Sequence, residues 1–345
     1  MSPPLLNRET PFVIVFNAAS GSGDARRAQA EMTEVLNAGH QEHEFFVVED
    51  PKQLQDLARR AAEKAVQRNG AVIVAGGDGT INAVAQATLK TGRPFGIVPQ
   101  GTFNYTTRAR AIPLDTALAT HALLNARLSA MQVGLVNEKV FLVNASLGLY
   151  PQLLEERETY KSQYGRTRGV ALWAGLRTLL RDHRQLTLEI EHDTERELVR
   201  TTSLFVGNNP LQLEQAGLPE AQAVQRRRLA AVIVKPRKTR SLLWLAARGA
   251  LGQLGGAANV RNFAFKRLVV SPARGNYMRP FKVATDGEIC FMQPPLVFRV
   301  ASESLWLMTP AAESESTVTP VASGSGTADP AGMSGRDDRT KEPAA

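Results

Sequence analysis

The chain has 345 residues, of which 43% are hydrophobic and 21% charged, a balance that is typical of globular proteins and excludes a largely disordered one. A single cysteine excludes a disulfide scaffold and a cysteine-based zinc site. The net charge is +8, and the surplus lies in residues 133–310, which hold 25 Lys and Arg against 15 Asp and Glu, so we expect any anionic partner to bind there.

Predicted strands and helices alternate through the first 132 residues. Short apolar runs predict strands at 12–17, 44–48, 71–75 and 95–98, and helical patterns occupy 25–38, 50–69, 80–90 and 113–128. The second helix begins at Asp50-Pro51, where a capping residue precedes a proline in the first turn. This order predicts a Rossmann-like α/β domain with a parallel sheet over residues 1–132.

The pattern changes after residue 132. Runs typical of strands occur at 131–136, 140–144, 186–191, 198–206, 229–234, 268–270, 281–284 and 296–300, and helical patterns occur at 169–181 and 241–254. Leu186, Leu188 and Ile190 alternate with polar residues, as in a sheet with one buried face. We therefore predict an antiparallel, β-rich domain over residues 133–310. Residues 311–345 are rich in Ser, Thr, Pro, Gly and Ala and predict a disordered tail.

No stretch of the sequence has the features of a secretory leader, because the N-terminus lacks a basic segment followed by a long apolar run. No uncharged apolar stretch reaches the ~18–20 residues that span a bilayer. We predict a soluble, cytoplasmic protein.

A glycine-rich loop, Gly76-Gly77-Asp78-Gly79-Thr80, follows the third predicted strand and precedes a helix. Glycines allow the backbone to approach a ligand closely, and a helix N-terminus attracts phosphate. The loop lacks the lysine of a Walker A motif and the spacing of a dinucleotide fingerprint. Asp78 would repel phosphate unless a cation lies between them, so we predict that Asp78 binds Mg²⁺. The alternative is a tight turn without a ligand.

Two more polar loops follow the first and fourth predicted strands. One contains Asn17 and Ser20, and the other contains Thr102 and Asn104. Ligands of open parallel sheets bind outside the carboxyl ends of the strands. Each loop alone is typical of a flexible turn, but the three together predict one polar crevice.

These motifs in this order resemble the diacylglycerol kinase catalytic-domain family, which includes bacterial lipid kinases, sphingosine kinases and ceramide kinases. The resemblance rests on Asn17 with Ser20-Gly21, on residues 76–82 and on residues 99–104, and it continues through residues 144–148 and 285–288. It spans about residues 11–308. It implies that ATP binds between a Rossmann-like domain and a β-sandwich domain, and that a phosphoryl group passes to a lipid hydroxyl.

The resemblance also implies roles for individual residues. Backbone N–H groups of residues 76–80 would bind phosphate, Asp78 would hold Mg²⁺, and Asp286 would be the general base, with Glu288 as the other candidate. Hydrogen bonds to the nucleotide would come from a polar set made up of Asn17, Ser20, Asn82, Thr102 and Asn104. An Asp-Gly pair is otherwise typical of a hairpin turn, which is the alternative interpretation of residues 286–287.

The chain departs from the family pattern at three places. Tyr105 follows Asn104 where an aspartate is common, residues 223–228 lack the acids of a structural Mg²⁺ site, and Glu49 stands where a threonine is frequent. A catalytically degenerate protein that binds nucleotide or lipid is therefore an alternative. An NAD kinase is another, because that group also carries such a glycine loop.

The basic surplus of residues 133–310 predicts peripheral contact with an anionic membrane surface, and a solvated face is the alternative. We expect no nucleic-acid partner, because no basic motif with interleaved aromatic residues is present. The sequence leaves the oligomeric state open.

Overall fold

A computed structural model describes residues 3–19, 25–102, 104–149, 151, 154–155, 185–193, 195–235, 257, 259–273 and 279–311. Ser20, the predicted helices at 169–181 and 241–254, and residues 312–345 of the predicted tail lie outside the described residues. Residues 1–311 form one compact unit.

The first sheet has six strands, and all of its neighbouring pairs but one are parallel. Its members are β1 (Phe12–Asn17), β2 (His43–Val48), β3 (Ala71–Gly76), β4 (Pro94–Pro99), β5 (Arg127–Met131) and β18 (Leu305–Thr309). Their order is β2-β1-β3-β4-β18-β5, and only β18 and β5 run antiparallel. The predicted α/β domain with a mostly parallel sheet is confirmed.

Helices cover both faces of this sheet. They are α1 (Ala25–Ala38), α2 (Leu54–Gln67), α3 (Asp78–Thr88), α4 (Tyr105–Arg108) and α5 (Thr116–Leu124). On β1, Val13 and Val15 pack toward α2 and α3, whereas Ile14 and Phe16 pack toward α1 and α5. This alternation follows from the two-residue period of a strand and explains why the strands are apolar at every position.

The strand-rich region consists of two further six-stranded sheets, in which every pairing is antiparallel. One has the order β10-β9-β14-β17-β6-β7 and the other β13-β12-β11-β8-β15-β16. The strands in chain order are β6 (Gly134–Val136), β7 (Lys139–Phe141), β8 (Asn144–Gly148), β9 (Leu186–His192), β10 (Glu195–Thr201), β11 (Ser203–Gly207), β12 (Leu229–Val234), β13 (Val260–Phe265), β14 (Arg267–Pro272), β15 (Phe281–Thr285), β16 (Glu288–Met292) and β17 (Leu296–Val300).

These two sheets share one hydrophobic core. Leu188 and Phe298 from the first of them and Leu147 and Leu204 from the second are buried in the same cluster. Two short helices, α6 (Pro210–Gln215) and α7 (Ala221–Gln225), follow β11 and pack on the outer side with a smaller apolar cluster. The predicted antiparallel, β-rich character of this region is confirmed.

The last strand returns to the first sheet. β18 inserts between β4 and β5, and its Leu307 is fully buried. The sequence analysis missed this strand, because five residues have no periodicity that distinguishes them from a loop. The first sheet is therefore completed by residues near position 305.

Several predicted boundaries are wrong where one short element closely follows another. The predicted helix at 113–128 ends at Leu124, and residues 127–131 form β5. The predicted strand at 198–206 is two strands, β10 and β11, in different sheets, and the run at 140–144 divides between β7 and β8 in the same way. An apolar run indicates a strand but not the sheet it joins, because strand pairing is a long-range choice. Within the described residues, no helix is both long enough and apolar enough to cross a membrane.

Candidate active site

The glycine loop turns directly from β3 into α3. β3 ends at Gly76, and Gly77 precedes the first residue of α3 with an extended backbone (φ −83°, ψ 178°). A Cβ on Gly101 would lie 2.9 Å from the Cα of Gly77, so the loops after β3 and β4 touch backbone to backbone. The first N–H groups of a helix have no partner within it, and here they lie where the two loops meet.

Asn17, at the end of β1, is tied to the first turn of α3. Its Nδ2 donates a hydrogen bond of 2.7 Å to Thr80 Oγ1, and its Oδ1 accepts one of 3.0 Å from the Ala19 N–H. Both side chains are buried. The structure therefore brings the loops after β1 and β3 together, as predicted from the order of the strands.

The carboxylate of Asp78 points toward the start of α4. Its Oδ2 accepts a hydrogen bond of 3.1 Å from the Asn104 N–H, and the N–H groups of Tyr105 and Thr106 also bond to this side chain. Asn104 in turn donates 2.8 Å to the Gly101 carbonyl oxygen and has a left-handed backbone (φ 51°). Burial raises the pKa of Asp78, and repulsion by Asp286 adds to this, while the amide donors oppose it.

Asp286 lies in the two-residue turn between β15 and β16. Asp286 and Gly287 both have positive φ, 47° and 89°, as a tight hairpin requires. Four N–H groups surround the carboxylate, and they belong to the Asn82 side chain (2.7 Å) and to the backbones of Leu142 (2.7 Å), Val143 (2.9 Å) and Asn144 (2.9 Å). Burial raises the pKa of Asp286, and these donors oppose that shift.

Glu288 lies on the other side of the same turn, against the glycine loop. A Cβ on Gly79 would be 2.8 Å from Glu288 Oε1. Glu288 is an exposed residue, but partial desolvation of its carboxylate raises its pKa. Lys139 opposes this shift, and Asp286 adds to it. The hairpin thus brings a carboxylate to the first turn of α3 from more than 200 residues away in the chain.

Asn82 and Gln86 of α3 hold this helix against β7. Asn82 Nδ2 donates to the Val140 carbonyl oxygen (3.0 Å), while Gln86 Oε1 accepts from the Val140 N–H (2.8 Å). The two side chains lie one helical turn apart and pair with the open edge of the sheet that ends at β7. α3 is consequently fixed both to the glycine loop and to the strand-rich region.

The sequence analysis missed a pair of asparagines beside the site. Asn208 Nδ2 donates to the Leu142 carbonyl oxygen (3.0 Å), next to the amides that bind Asp286. Asn209 Nδ2 donates to the Tyr105 carbonyl oxygen (3.2 Å), and its Oδ1 caps α6 by accepting from the Gln212 N–H. Asn followed by Pro at a helix start is a capping signal that the sequence itself carries.

Thr102, which the sequence analysis placed among the nucleotide-binding residues, has an exposed side chain.

Among the described residues, several buried oxygens at this site have no hydrogen-bond partner. They are Asp78 Oδ1, Asn82 Oδ1, Asn104 Oδ1 and Asn144 Oδ1. Uncharged and carboxylate oxygens are the ligands that Mg²⁺ prefers, so the donor set suits a hard cation. In the part of the chain that the structure describes, no three His, Cys, Asp or Glu side chains are grouped closely enough to hold a metal by themselves.

Known proteins are similar to this chain in sequence and in fold. Residues 11–136 match the diacylglycerol kinase catalytic domain. A diacylglycerol kinase of Staphylococcus saprophyticus is 29% identical over 145 residues, which cover 41% of this chain and 47% of that protein. A diacylglycerol kinase of Staphylococcus aureus is 30% identical over 146 residues, covering 41% and 45%. The chain thus matches about half the length of these relatives.

A solved structure agrees with the fold over more of the chain. The crystal structure of a diacylglycerol kinase from Bacillus anthracis superposes with a TM-score of 0.63 at 16% identity, and covers 88% of this chain and 98% of that one. An identity this low supports the fold alone. The resemblance found in the sequence is confirmed, because residues 11–136 match the diacylglycerol kinase catalytic domain.

Proposed function

We propose that this protein is an ATP-dependent lipid kinase that phosphorylates a hydroxyl of a diacylglycerol-like lipid. The observation that carries the proposal is the contact between Glu288 and Gly79, which sets an acidic side chain beside the N-terminal turn of α3. Phosphoryl transfer needs a site for the phosphate chain and a base near the acceptor hydroxyl, and the helix amides and a carboxylate at this point would supply them. The family match favours this activity over an NAD kinase.

The nucleotide phosphates would lie at the start of α3. The N–H groups of residues 76–80 and the positive end of the helix dipole attract phosphate oxygens, and Gly77 and Gly79 leave the backbone uncovered. We propose that Asn17, Ser20, Asn82, Thr102 and Asn104 form the hydrogen bonds to the nucleotide.

A magnesium ion would bind through Asp78, whose buried Oδ1 has no hydrogen-bond partner in the part of the chain that the structure describes. The ion would supply charge neutralisation for the phosphates. The repulsion between Asp78 and Asp286 supports this proposal, because a cation would relieve it.

The hairpin at 286–288 would supply the general base. A carboxylate there takes the proton of the lipid hydroxyl while the hydroxyl oxygen bonds to the γ-phosphorus and the bond from that phosphorus to ADP breaks. The products are ADP and a lipid phosphate monoester, and the carboxyl group releases its proton to water.

The lipid would bind to the strand-rich region, for which we propose a β-sandwich. A cavity of about 470 Å³ is lined by apolar and basic residues, among them Leu147, Leu188, Phe281 and Arg279. An apolar lining suits acyl chains, and basic residues suit an anionic membrane surface, so we propose a cytoplasmic enzyme that acts at the membrane face.

Labelled ATP tests the proposal directly. The protein is incubated with [γ-³²P]ATP and Mg²⁺ and with micelles of diacylglycerol, monoacylglycerol, a sphingoid base, ceramide or phosphatidylglycerol, with NAD in a parallel reaction. We expect label in the lipid extract of at least one lipid, dependent on Mg²⁺. Nucleotide binding without transfer to any lipid would contradict the proposal and would support the non-catalytic alternative.

A further inference from the structure

Asn208 is a buried asparagine whose three N–H donors all bind backbone carbonyl oxygens. It follows β11 directly, and only 4% of its surface is exposed. Its side-chain Nδ2 donates to the carbonyl oxygens of Leu142 (3.0 Å) and Gln132 (3.2 Å). Its backbone N–H donates to the Val143 carbonyl oxygen (2.8 Å). One residue therefore binds two consecutive carbonyl groups of the segment that leads into β8.

The peptide units that Asn208 binds are the ones that hold the carboxylate of Asp286. A trans peptide unit is planar, so its C=O and its N–H point in opposite directions. The Leu142 carbonyl oxygen and the Val143 N–H belong to one unit, and the Val143 carbonyl oxygen and the Asn144 N–H belong to the next. These two N–H groups donate to Asp286 Oδ1, each over 2.9 Å. Asn208 thus binds the carbonyl end of both units whose amide end binds the carboxylate.

Gln132 fixes the orientation of the Asn208 side chain. Its Nε2 donates to Asn208 Oδ1 (2.8 Å) and to the Arg228 carbonyl oxygen (3.1 Å). Because Oδ1 of Asn208 faces this donor, the amide presents Nδ2 to Leu142. Gln132 lies between β5 of the first sheet and β6 of the strand-rich region. The hydrogen bonds therefore run without a break from the link between the two regions to the hairpin at 286–288.

We propose that Asn208 is a positioning residue of the active site, which aligns the 142–144 amides with the carboxylate of Asp286 and so sets the place of the 286–288 hairpin beside α3. Among the described residues, no hydrogen bond joins Asn208 to the glycine loop or to the hairpin, so its effect passes through the two peptide units. This inference rests on the proposed lipid kinase activity, which requires the hairpin to face the first turn of α3.

Loss of the Asn208 side chain would release the first of these peptide units. The Leu142 carbonyl oxygen would lose its side-chain donor in a buried place, and rotation of the peptide plane toward another donor would lower that cost. The same rotation turns the Val143 N–H away from Asp286 Oδ1. A displacement of about 1 Å in an active-site group can lower a rate about 100-fold. We therefore expect the effect in kcat and not in nucleotide affinity.

Asn208→Leu and Gln41→Met form a matched pair of substitutions in the full-length protein. Leucine and methionine keep roughly the size of the original side chain and carry no charge and no donor. Gln41 is also a buried amide, and its Nε2 donates to the carbonyl oxygens of Thr10 (2.7 Å) and Glu42 (3.2 Å). It precedes β2, at the end of the parallel strands opposite the glycine loop. We expect both variants to melt at a lower temperature, because each leaves carbonyl oxygens without a donor.

Only Asn208→Leu is expected to lower kcat. The rate is measured with [γ-³²P]ATP and diacylglycerol micelles, or with whichever lipid of the labelling screen the wild type phosphorylates fastest. We expect kcat to fall about 10- to 100-fold, while the dissociation constant for Mg-ATP, measured by calorimetry, stays within about twofold of the wild type. Gln41→Met is expected to keep both values.

A purely structural role would lower the melting temperature of both variants and leave kcat of the folded protein unchanged. The proposal is overturned if Asn208→Leu keeps more than about a third of the wild-type kcat at a temperature where it is folded. It is also overturned if Mg-ATP binding weakens by the same factor as kcat.

Amide hydrogen exchange tests the alignment without any activity. The N–H groups of Val143 and Asn144 bind a buried carboxylate, so we expect slow exchange in ¹H–¹⁵N spectra of the wild type. Asn208→Leu is expected to speed this exchange about tenfold beyond any change shared by the amides of β14, and Gln41→Met is expected not to do so. Unchanged exchange in Asn208→Leu would contradict the positioning role. A wild type that phosphorylates no lipid would contradict the proposed function, and the exchange rates would still decide whether Asn208 aligns the two amides.

Asn208→Ser decides the question if Asn208→Leu does not fold. Serine is smaller than asparagine and keeps a hydroxyl group, but its side chain is one bond too short to take the place of Nδ2 at the Leu142 carbonyl oxygen. We expect the same pattern with a smaller loss of kcat, about 3- to 30-fold. A wild-type kcat in the folded Asn208→Ser variant would overturn the proposal.

Discussion

At the scale of single residues, polar side chains hold the site together over long sequence distances. Asn17 and Thr80 are 63 positions apart, and their hydrogen bond joins the loops after β1 and β3. Asn82 contacts Asp286, which is 204 positions away. Each of these bonds is at least partly shielded from water, so its loss leaves a donor or acceptor in a poorly solvated place.

Thr80→Val tests the first of these bonds. Valine has nearly the shape of threonine but lacks the oxygen that accepts from Asn17, so we expect the free energy of unfolding to fall by about 1–3 kcal/mol. Urea denaturation measures the change. Thr80→Ser is the matched control, because it retains the hydroxyl and should lose less. Equal losses in both variants would show that the methyl group, not the hydrogen bond, stabilises the loop.

Glu288→Gln also makes a prediction about stability and pH. Because desolvation raises the pKa of Glu288, the folded protein holds this proton more tightly than the unfolded chain. The protonated form of Glu288 stabilises the folded protein fully at pH values below the pKa that Glu288 has in the unfolded chain. This stabilisation is lost as the pH rises through the pKa that Glu288 has in the folded protein.

Glutamine does not ionise, so the stability of the Glu288→Gln variant does not fall with pH for this reason. We expect the two melting temperatures to agree near pH 4 and the variant to melt higher near pH 8, as measured by scanning calorimetry at matched ionic strength. A variant that melts lower than the wild type at the higher pH would contradict a raised pKa at Glu288.

At the scale of elements, helix caps and the edge strand of a sheet determine where the residues of the site lie. α3 begins where two glycine loops touch, and its Asn82 and Gln86 bond to the backbone of β7. α6 begins at Asn209, which also contacts the Tyr105 carbonyl oxygen at the start of α4. One capping residue thus links the strand-rich region to the loop that follows β4.

Asn209→Ala and Asp115→Ala form a matched pair of cap removals. Asp115 caps α5 through the Leu118 N–H, away from the site, and each substitution is expected to cost about 1 kcal/mol of unfolding free energy. Only Asn209→Ala also frees the 104–108 segment, so we expect it alone to weaken Mg-ATP binding, measured by calorimetry. Equal nucleotide affinity in the two variants would remove Asn209 from the site.

At the scale of the whole molecule, the end of the described chain completes the first sheet. β18 pairs with β4 on one side and with β5 on the other, so residues near 305 are part of the sheet that carries the glycine loop. The strand-rich region is consequently connected to this sheet at both of its ends, after β5 and before β18. This arrangement restricts how far the hairpin at 286–288 can move from α3.

Leu307→Ala tests the contribution of β18. Leu307 is fully buried, and its truncation is expected to cost about 2–5 kcal/mol and to unfold the first sheet at a lower temperature. Leu198→Ala on β10 is the control, because Leu198 is 65% exposed and its loss should change stability by less than about 0.5 kcal/mol. A Leu307→Ala loss as small as that of the control would show that β18 is dispensable.

The sequence by itself determined the α/β character of the first region, the β-rich character of the second, and the strand–glycine–helix turn at 76–80. These features depend on neighbouring residues, because strand period, capping and glycine freedom are local properties. It also indicated a resemblance to the diacylglycerol kinase catalytic domain, because the motifs occur along the chain in the same order. Only the tertiary structure decided that β18 belongs to the first sheet and that, among the described residues, four N–H groups bind the carboxylate of Asp286 while none binds that of Glu288. Those facts depend on backbone amides and strand edges more than a hundred residues away, whose positions are set by packing and not by local sequence.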